Sequence, residues 1–485
     1  MFFGPSHKPA GSHRSGPGCW GLLLCVVVLL GGCQPDGDGS HEARAVSATA
    51  QDEQAVEPGT PPPYKPHRLD AFFRTLLDVE DPEVDRTASV LHVGDSHTAS
   101  DTITGRLREL FQQRFGDAGR GYAYPGRPWR TFRQERMGYA MEGDWTSFFG
   151  TRERDQGPFA LGGIRLQTTE KGAWVERSSC TDCRGGDSFD RYAIHYLVQP
   201  DGGEFQIRVD DRAPTVVETD GARTKLGVFS ERLDPRAHTI RVTAKGDGPV
   251  ALFGIRTHRS EDGVVYHSLG INGATAPEFA SYDRQMTRAT VQRLQPDLMV
   301  FAFGSNEAYN FYRMGHSDRY SFETVTQAMA NYNVAFRSLL ERYISAAPRA
   351  ACLVLLPPDL SPRRPDQPCR RTVEMAGREV CVQHPIRHFS GVVAAQRHIA
   401  QQEGCAVWDQ TRAMGGAGSM AIWSNLSPPL ARSDRIHLTM GGYDLMGESL
   451  YSDLIETYDV WKRGGRLELP TTPIQPRAIA GAFGP

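Results

Sequence analysis

The sequence predicts an α/β fold interrupted by an all-β insertion, on three observations. Short apolar runs bounded by turn residues occur at Ala88–Val93, Leu298–Phe303, Cys352–Leu356 and Cys405–Trp408. Helix-length amphipathic stretches separate the last three of these, and another follows the first, so the strands need crossover connections and a parallel sheet covered on both faces. Between about Arg130 and Arg259 the texture changes to short β-prone runs separated by Gly, Asp and Pro, with no long amphipathic helix.

The elements follow in chain order. Asp70 is placed to cap a helix through Leu77, ahead of the strand at Ala88–Val93 and a helix at about Thr102–Phe115. The insertion contributes runs at Tyr192–Val198, Glu204–Val209, Thr239–Val242 and Val250–Ile255, which suit a sandwich. After it come a helix at Ala280–Leu294, a strand at Leu298–Phe303 and a helix at about Glu323–Ile344. A strand at Cys352–Leu356, a helix at about Phe389–Gln402, a strand at Cys405–Trp408 and a terminal helix at about Met440–Trp461 complete the series. The expected organisation is a leader over 1–32, a tether over 33–66 rich in Asp, Glu, Ala, Pro and Gly, and an α/β domain split into 67–130 and 260–465. The β module occupies 131–259, and 466–485 read as a loose tail.

At the N-terminus, Lys8 and Arg14 precede an apolar run from Trp20 to Leu30 that is too short to span a bilayer as a helix. The run meets Leu30-Gly31-Gly32-Cys33, which resembles a bacterial lipobox, so Cys33 is the expected acylated residue of the mature chain. The expected location is the bacterial cell envelope, with a lipid anchor as the only membrane contact. A net charge of -3 from 54 basic and 57 acidic residues, with no basic stripe, argues against nucleic acid as a partner.

Once Cys19 and Cys25 leave with the leader and Cys33 carries lipid, six cysteines remain in an exported chain, which argues for disulfides. Local reasoning pairs Cys180 with Cys183, Cys369 with Cys381, and Cys352 with Cys405, the last two heading strand-like runs that can lie side by side. Zinc is the rival at Cys180-Thr181-Asp182-Cys183, but no second pair at ligand spacing follows, so no metal is expected.

Four motifs carry the chemistry. Gly94-Asp95-Ser96-His97-Thr98 directly follows the first strand and leads into a helix, where a serine is exposed and its amide faces a place for an oxyanion, although Asp and Ser also serve as plain helix caps there. His267-Ser268-Leu269-Gly270-Ile271-Asn272-Gly273-Ala274 is a Gly-bearing loop that lets backbone approach a ligand, or a simple turn. Phe303-Gly304-Ser305-Asn306-Glu307 ends an apolar strand, where an asparagine side chain can donate to developing negative charge or make an Asx turn. In Asp434-Arg435-Ile436-His437-Leu438, ahead of the last helix, the histidine can take a serine proton and the carboxylate can hold its other ring nitrogen in the useful tautomer.

Together and in this order, the four blocks resemble those of the SGNH (GDSL-type) hydrolase superfamily, and Gly-Asp-Ser-His, Gly-Ile-Asn-Gly-Ala and Asn-Glu are closest to its peptidoglycan O-acetylesterase branch, which also carries a carbohydrate-binding-module-like β insertion. The resemblance covers roughly His67 to Trp461. It departs from many members in having Asn306-Glu307 where they have Asn-Asp, and in Ser305. It implies a flavodoxin-like three-layer α/β/α domain and a catalytic set of Ser96, Asp434 and His437. The implied oxyanion hole is made by Ser96, Gly273 (with Gly270 as the alternative) and Asn306. No cofactor is needed, and the implied substrate is an O-acetylated glycan. An O-acetyltransferase using the same triad, a lipid or general carboxylesterase, and a surface carbohydrate-binding lipoprotein without activity are the rival readings; intact Ser96, Asn306, Asp434 and His437 argue against the last.

Overall fold

The computed structural model describes residues 68–180, 188–362, 368–375 and 377–474. The expected leader, Cys33, the tether and Cys183 lie outside the described residues. Five parallel strands form the central sheet: Thr87–Gly94, Gly263–Gly270, Leu298–Ala302, Ala351–Leu356 and Ala406–Asp409. Numbered along the chain, their spatial order is second, first, third, fourth, fifth, which is the flavodoxin-like order.

These strands are apolar almost throughout because both faces are covered. Leu91, Val93, Met299, Phe301 and Val354 pack on one side with Val291, Phe336 and Val392 of helices Arg284–Leu294, Phe322–Ala346 and Phe389–Gln402. Ala88, Val90, Val300, Leu353 and Leu355 pack on the other with Phe72, Leu107 and Leu450 of helices Asp70–Glu80, Thr102–Phe115 and Met440–Lys462. The alternation of inward faces along each strand thus produces the three layers.

Register then places the functional turns. Gly94 is level with Gly270 on one side and with Ala302 on the other. The first strand sits where the chain's winding reverses, so the turns leaving strands one, two and three emerge side by side at a crevice.

Between the first two central strands lie two antiparallel sheets. One is built on Phe189–Val198, Lys225–Arg236 and Val250–His258, the other on Trp174–Ser178, Thr239–Ala244 and Glu204–Val209. Leu166, Ile194, Leu252 and Ile255 of the first sheet share a core with Val175, Phe205, Ile207 and Val242 of the second. In Glu204–Val209 the buried residues are Phe205, Ile207 and Val209, the period of two that a one-faced strand requires. The first of these sheets begins ahead of residue 131, since Gly121–Ala123 pairs with Val250–His258. Three residues in a Gly- and Pro-rich stretch carry no periodicity by which to see it.

The structure differs from expectation at several elements. The helix expected at 280–294 is two, Ala276–Ser281 and Arg284–Leu294: Thr275 and Glu278 form a capping box on the first, and Asp283 caps the second by accepting the Met286 amide at 2.8 Å. Asp70 is the first helical residue and not the cap; its carboxylate accepts Trp461 Nε1 at 2.9 Å. An unanticipated helix, Ser305–Gly315, follows the third strand, and a hairpin, Arg371–Met375 with Arg378–Val382, follows the fourth. Within the expected loose tail, residues 471–474 are tied to the body, Thr472 N donating to Asp453 Oδ2 at 3.0 Å and Ile474 N to Ala413 O at 2.9 Å.

Cys352 and Cys405 are bonded with Cα atoms 4.5 Å apart, joining the fourth strand to the residue before the fifth. Cys369 and Cys381 are bonded at 5.2 Å across the base of the hairpin. No helix among the described residues is long and apolar enough to cross a membrane.

Candidate active site

The turn after the first strand is held by backbone on both sides. Asp95 N donates to Ala302 O at 3.1 Å, and Ile271 N donates to Gly94 O at 3.2 Å. A Cβ on Gly94 would lie 2.3 Å from Thr98 Oγ1 and 2.6 Å from Ala302 O, so only glycine permits this closeness. Asp95 then caps the short helix Ser96–Ala99 by accepting the His97 amide at 2.9 Å. Ser96 is the first helical residue, where a backbone amide has no carbonyl behind it in the helix.

The last helix and its approach bring the base. Thr439 caps Met440–Lys462 by accepting the Gly442 amide at 3.3 Å. Just before it, Asp434 folds back on its own turn: Oδ1 accepts the amides of Ile436 at 2.9 Å and His437 at 3.0 Å, and Oδ2 receives His437 Nδ1 at 2.9 Å. Arg435 supplies the bend at φ 55°, and its guanidinium donates to Cys381 O at 3.4 Å, tying the turn to the disulfide-bonded hairpin. His437 Nε2 lies 3.0 Å from Ser96 Oγ, across 341 residues of chain.

A carboxylate accepts only, so the proton between Asp434 and His437 sits on Nδ1, leaving Nε2 to accept from the serine hydroxyl. Burial pushes the Asp434 carboxyl up, but the His437 ring and the two backbone amides outweigh it and hold the group below the usual carboxylate range. The side chains of His437 and Asp434 are 33% and 42% exposed, so the relay opens to solvent where a bulky ester can reach it.

Asn306 stands in the first turn of Ser305–Gly315, and its Nδ2 donates to Ala274 O at 2.9 Å. One bond uses one of the two amide hydrogens and leaves the other for a ligand. Gly273 lies in the same second-block turn at φ 80°, with open space where a Cβ would stand. Gly270 is placed differently: it ends its strand, and a Cβ there would meet Ala99 N at 2.3 Å. Its lack of a side chain serves packing of the serine helix on the sheet.

Several supporting residues were not anticipated. Glu307 is buried, accepting Gly304 N at 2.9 Å and Ala276 N at 2.8 Å; burial, opposed by these amides, raises its pKa to about 7. Burial first, and then the charge of Glu307, lift Asp95 to about 8. His97 packs its ring 5.4 Å from that of His437 and shares its Nδ1 with Tyr443 Oη at 2.9 Å. Burial and the neighbouring His437 depress it to about 3, so it stays neutral. Asp101, at φ 52°, accepts Arg108 at 2.9 Å and Arg120 at 2.7 Å within the core and fixes the exit from the serine helix. The Asp95 helix cap and the Glu307 carboxylate three residues after Gly304 were the local signals among these; the other partners lie further off in sequence.

A serine, histidine and carboxylate in series at the carboxyl edge of a flavodoxin-like sheet define a class, the SGNH-type hydrolases of ester bonds. Residues 234–450 match the family model "GDSL-like Lipase/Acylhydrolase", a range that holds Gly273, Asn306, Asp434 and His437 and begins after Ser96. Residues 234–450 are thus similar to an acylhydrolase domain, which supports an ester-bond hydrolase, and the fold is similar to that of a peptidoglycan O-acetylesterase. A solved structure described as "Peptidoglycan O-acetylesterase in action, 5 min" matches with a TM-score of 0.61 at 22% identity, covering 80% of this chain and 96% of that one. A family two carbohydrate esterase from Cellvibrio japonicus matches with a TM-score of 0.25 at 11% identity, over 67% of this chain and 98% of that one. The acetyl xylan esterase AlAXEase matches with a TM-score of 0.26 at 13% identity, over 39% and 79%. No curated protein sequence matches the chain.

Proposed function

We propose that this protein removes O-acetyl groups from peptidoglycan in the bacterial envelope through an acyl-enzyme on Ser96. The observation that carries the reading is the unbroken series Ser96 Oγ, His437 Nε2, His437 Nδ1, Asp434 Oδ2, with separations of 3.0 and 2.9 Å. Ser96 Oγ attacks the acetyl carbonyl as its proton passes to His437 Nε2, and Asp434 stabilises the imidazolium. The amides of Ser96 and Gly273 and the free hydrogen of Asn306 Nδ2 receive the oxyanion. Collapse expels the sugar oxygen, which takes the proton from His437. Water then gives its proton to His437, attacks the acyl carbon and releases acetate, and Ser96 regains its hydrogen.

Support for a glycan substrate comes from the open relay, from the sandwich inserted between the first two blocks, and from the fold shared with a peptidoglycan O-acetylesterase. Support for an exported, lipid-anchored protein comes from the lipobox-like Leu30-Gly31-Gly32-Cys33 and from disulfides, which persist in oxidising compartments. The test is acetate release from O-acetylated peptidoglycan by purified protein, with Ser96→Ala as control and an oligosaccharide acceptor present in a parallel reaction. Release that vanishes in Ser96→Ala supports the reading. Acetyl transfer to the acceptor without release makes the protein a transferase, and no turnover of either kind overturns the assignment.

A further inference from the structure

The helix that presents Asn306 also presents a row of rings leading away from the site. Tyr309 and Tyr312 are half-buried and their ring centroids are 6.2 Å apart; His316, at the helix end and exposed, packs its ring against Tyr312 at 4.1 Å between centroids and a 43° tilt, its Nδ1 2.9 Å from Tyr312 O. Arg313 is exposed and makes no hydrogen bond or ion pair among the described residues. At about 100° per residue, Asn306, Tyr309, Tyr312, Arg313 and His316 all fall within one third of the helix circumference. From Asn306 to His316 the row runs about 15 Å along the axis, room for two linked pyranose rings beyond the one that carries the ester.

Aromatic side chains with an apolar face and a polar edge suit a sugar, whose ring carbons form an apolar face and whose hydroxyls stay wet. Tyrosine loses little conformational freedom in making such a contact. The rings and the oxyanion donor share one rigid element, so the distance from a bound sugar to the reacting ester is set by helix geometry and not by a mobile loop. Both tyrosines lean on the catalytic core, which fixes their rotamers.

We infer that this face of Ser305–Gly315 is a glycan subsite, in which Tyr309 and then the Tyr312–His316 pair carry two successive sugar rings of the acetylated chain and Arg313 meets a carboxylate borne by one of them. The inference rests on the proposed esterase reading and names how that site selects its polymer. Aromatic rows of this kind also arise as simple packing of a helix on a core. Packing alone makes Tyr→Ala changes lower all activities together, whereas a subsite makes the loss depend on substrate.

The experiment compares kcat/KM on p-nitrophenyl acetate and on O-acetylated peptidoglycan fragments of four sugars for wild type, Tyr312→Ala, Tyr312→Phe, Tyr309→Ala and Arg313→Ala. The ratio of glycan to small-ester kcat/KM should fall about tenfold for each lost ring, mainly through KM, and Tyr312→Phe should restore it. Arg313→Ala should lower the ratio for fragments with free carboxylates and not for amidated ones. A second arm measures binding of de-O-acetylated tetrasaccharide to Ser96→Ala protein with and without Tyr312→Ala. Wild-type release of acetate from fragments with an unchanged ratio in the variants overturns the subsite and leaves the esterase reading standing. Tetrasaccharide binding that needs Tyr312, without acetate release from any glycan, overturns the esterase reading and leaves the subsite standing. Absence of both binding and release overturns both.

Discussion

Glu307 accepts the amide of Ala276 at 2.8 Å, and its second oxygen holds Gly304 at 2.9 Å. One buried carboxylate therefore joins the turn after the third strand, where Asn306 stands in the first helical turn, to the segment after the second, where Gly273 sits. Glu307→Ala leaves two buried amides without acceptors, at about 1–3 kcal/mol each. Its unfolding free energy should fall by several kcal/mol, and kcat for ester hydrolysis should fall more than KM rises as Asn306 loses its fixed place. Urea unfolding together with steady-state kinetics checks this, and wild-type stability with wild-type kcat would show that the bridge is dispensable.

Ser96 and His437 act on one proton. Ser96→Ala and His437→Ala should each abolish nearly all turnover, and the double variant should be little worse than either, because groups that act as a unit are not additive. Losses that multiply in the double variant would mean that the two residues work independently.

Asparagine at 434 keeps the shape of the side chain but can present an N–H to His437 Nδ1, which selects the wrong tautomer. Asp434→Asn should lower kcat strongly, by up to roughly ten-thousandfold on the serine-protease precedent, with much less effect on KM. The Asp434 carboxyl is held below the usual range, so it remains ionised through the working pH span and its removal should matter equally at pH 6 and pH 8. A wild-type kcat in Asp434→Asn would remove the carboxylate from the mechanism.

His97 is neutral in the fold, burial pushing its pKa down to about 3 from the 6.5 of a solvent-exposed histidine. A depressed folded value means that the unfolded chain takes up a proton the folded one refuses, so the stability this group supports is present above pH 6.5 and drains away as pH falls toward 3. His97→Gln removes that term. The stability gap between wild type and His97→Gln should shrink by about 2 kcal/mol between pH 7 and pH 5. Denaturant unfolding at pH 5, 6 and 7 measures it, and a gap constant with pH would place a charged imidazole in the core.

If Cys33 is the acylated N-terminus, metabolic labelling with a fatty acid should mark the wild-type protein and not Cys33→Ser. A mature N-terminus at any other residue, found by mass spectrometry, would refute the anchor.

Residue order alone determined the class of fold, because buried parallel strands must be apolar on both faces and crossover helices must be amphipathic, and both patterns are local. Thr102–Phe115 and Phe389–Gln402 have the bounds that periodicity assigned them. The four chemical blocks were legible for the same reason: each is a handful of consecutive residues at a strand end or helix start. What the chain's order does not contain is the level at which those ends meet. The pairing of Gly94 with Gly270 and Ala302, the contact of Ser96 with His437, and the Glu307 bridge to Ala276 join residues far apart in sequence, and they arise from strand register and helix packing. The helix Ser305–Gly315 was hidden because its first residues read as a strand-end loop, and its capping carboxylate takes on meaning once the second-block turn lies against it. Burial decided the rest: Asp95, His97 and Glu307 are ordinary polar letters until the packed core around them withdraws water and changes which proton each one holds.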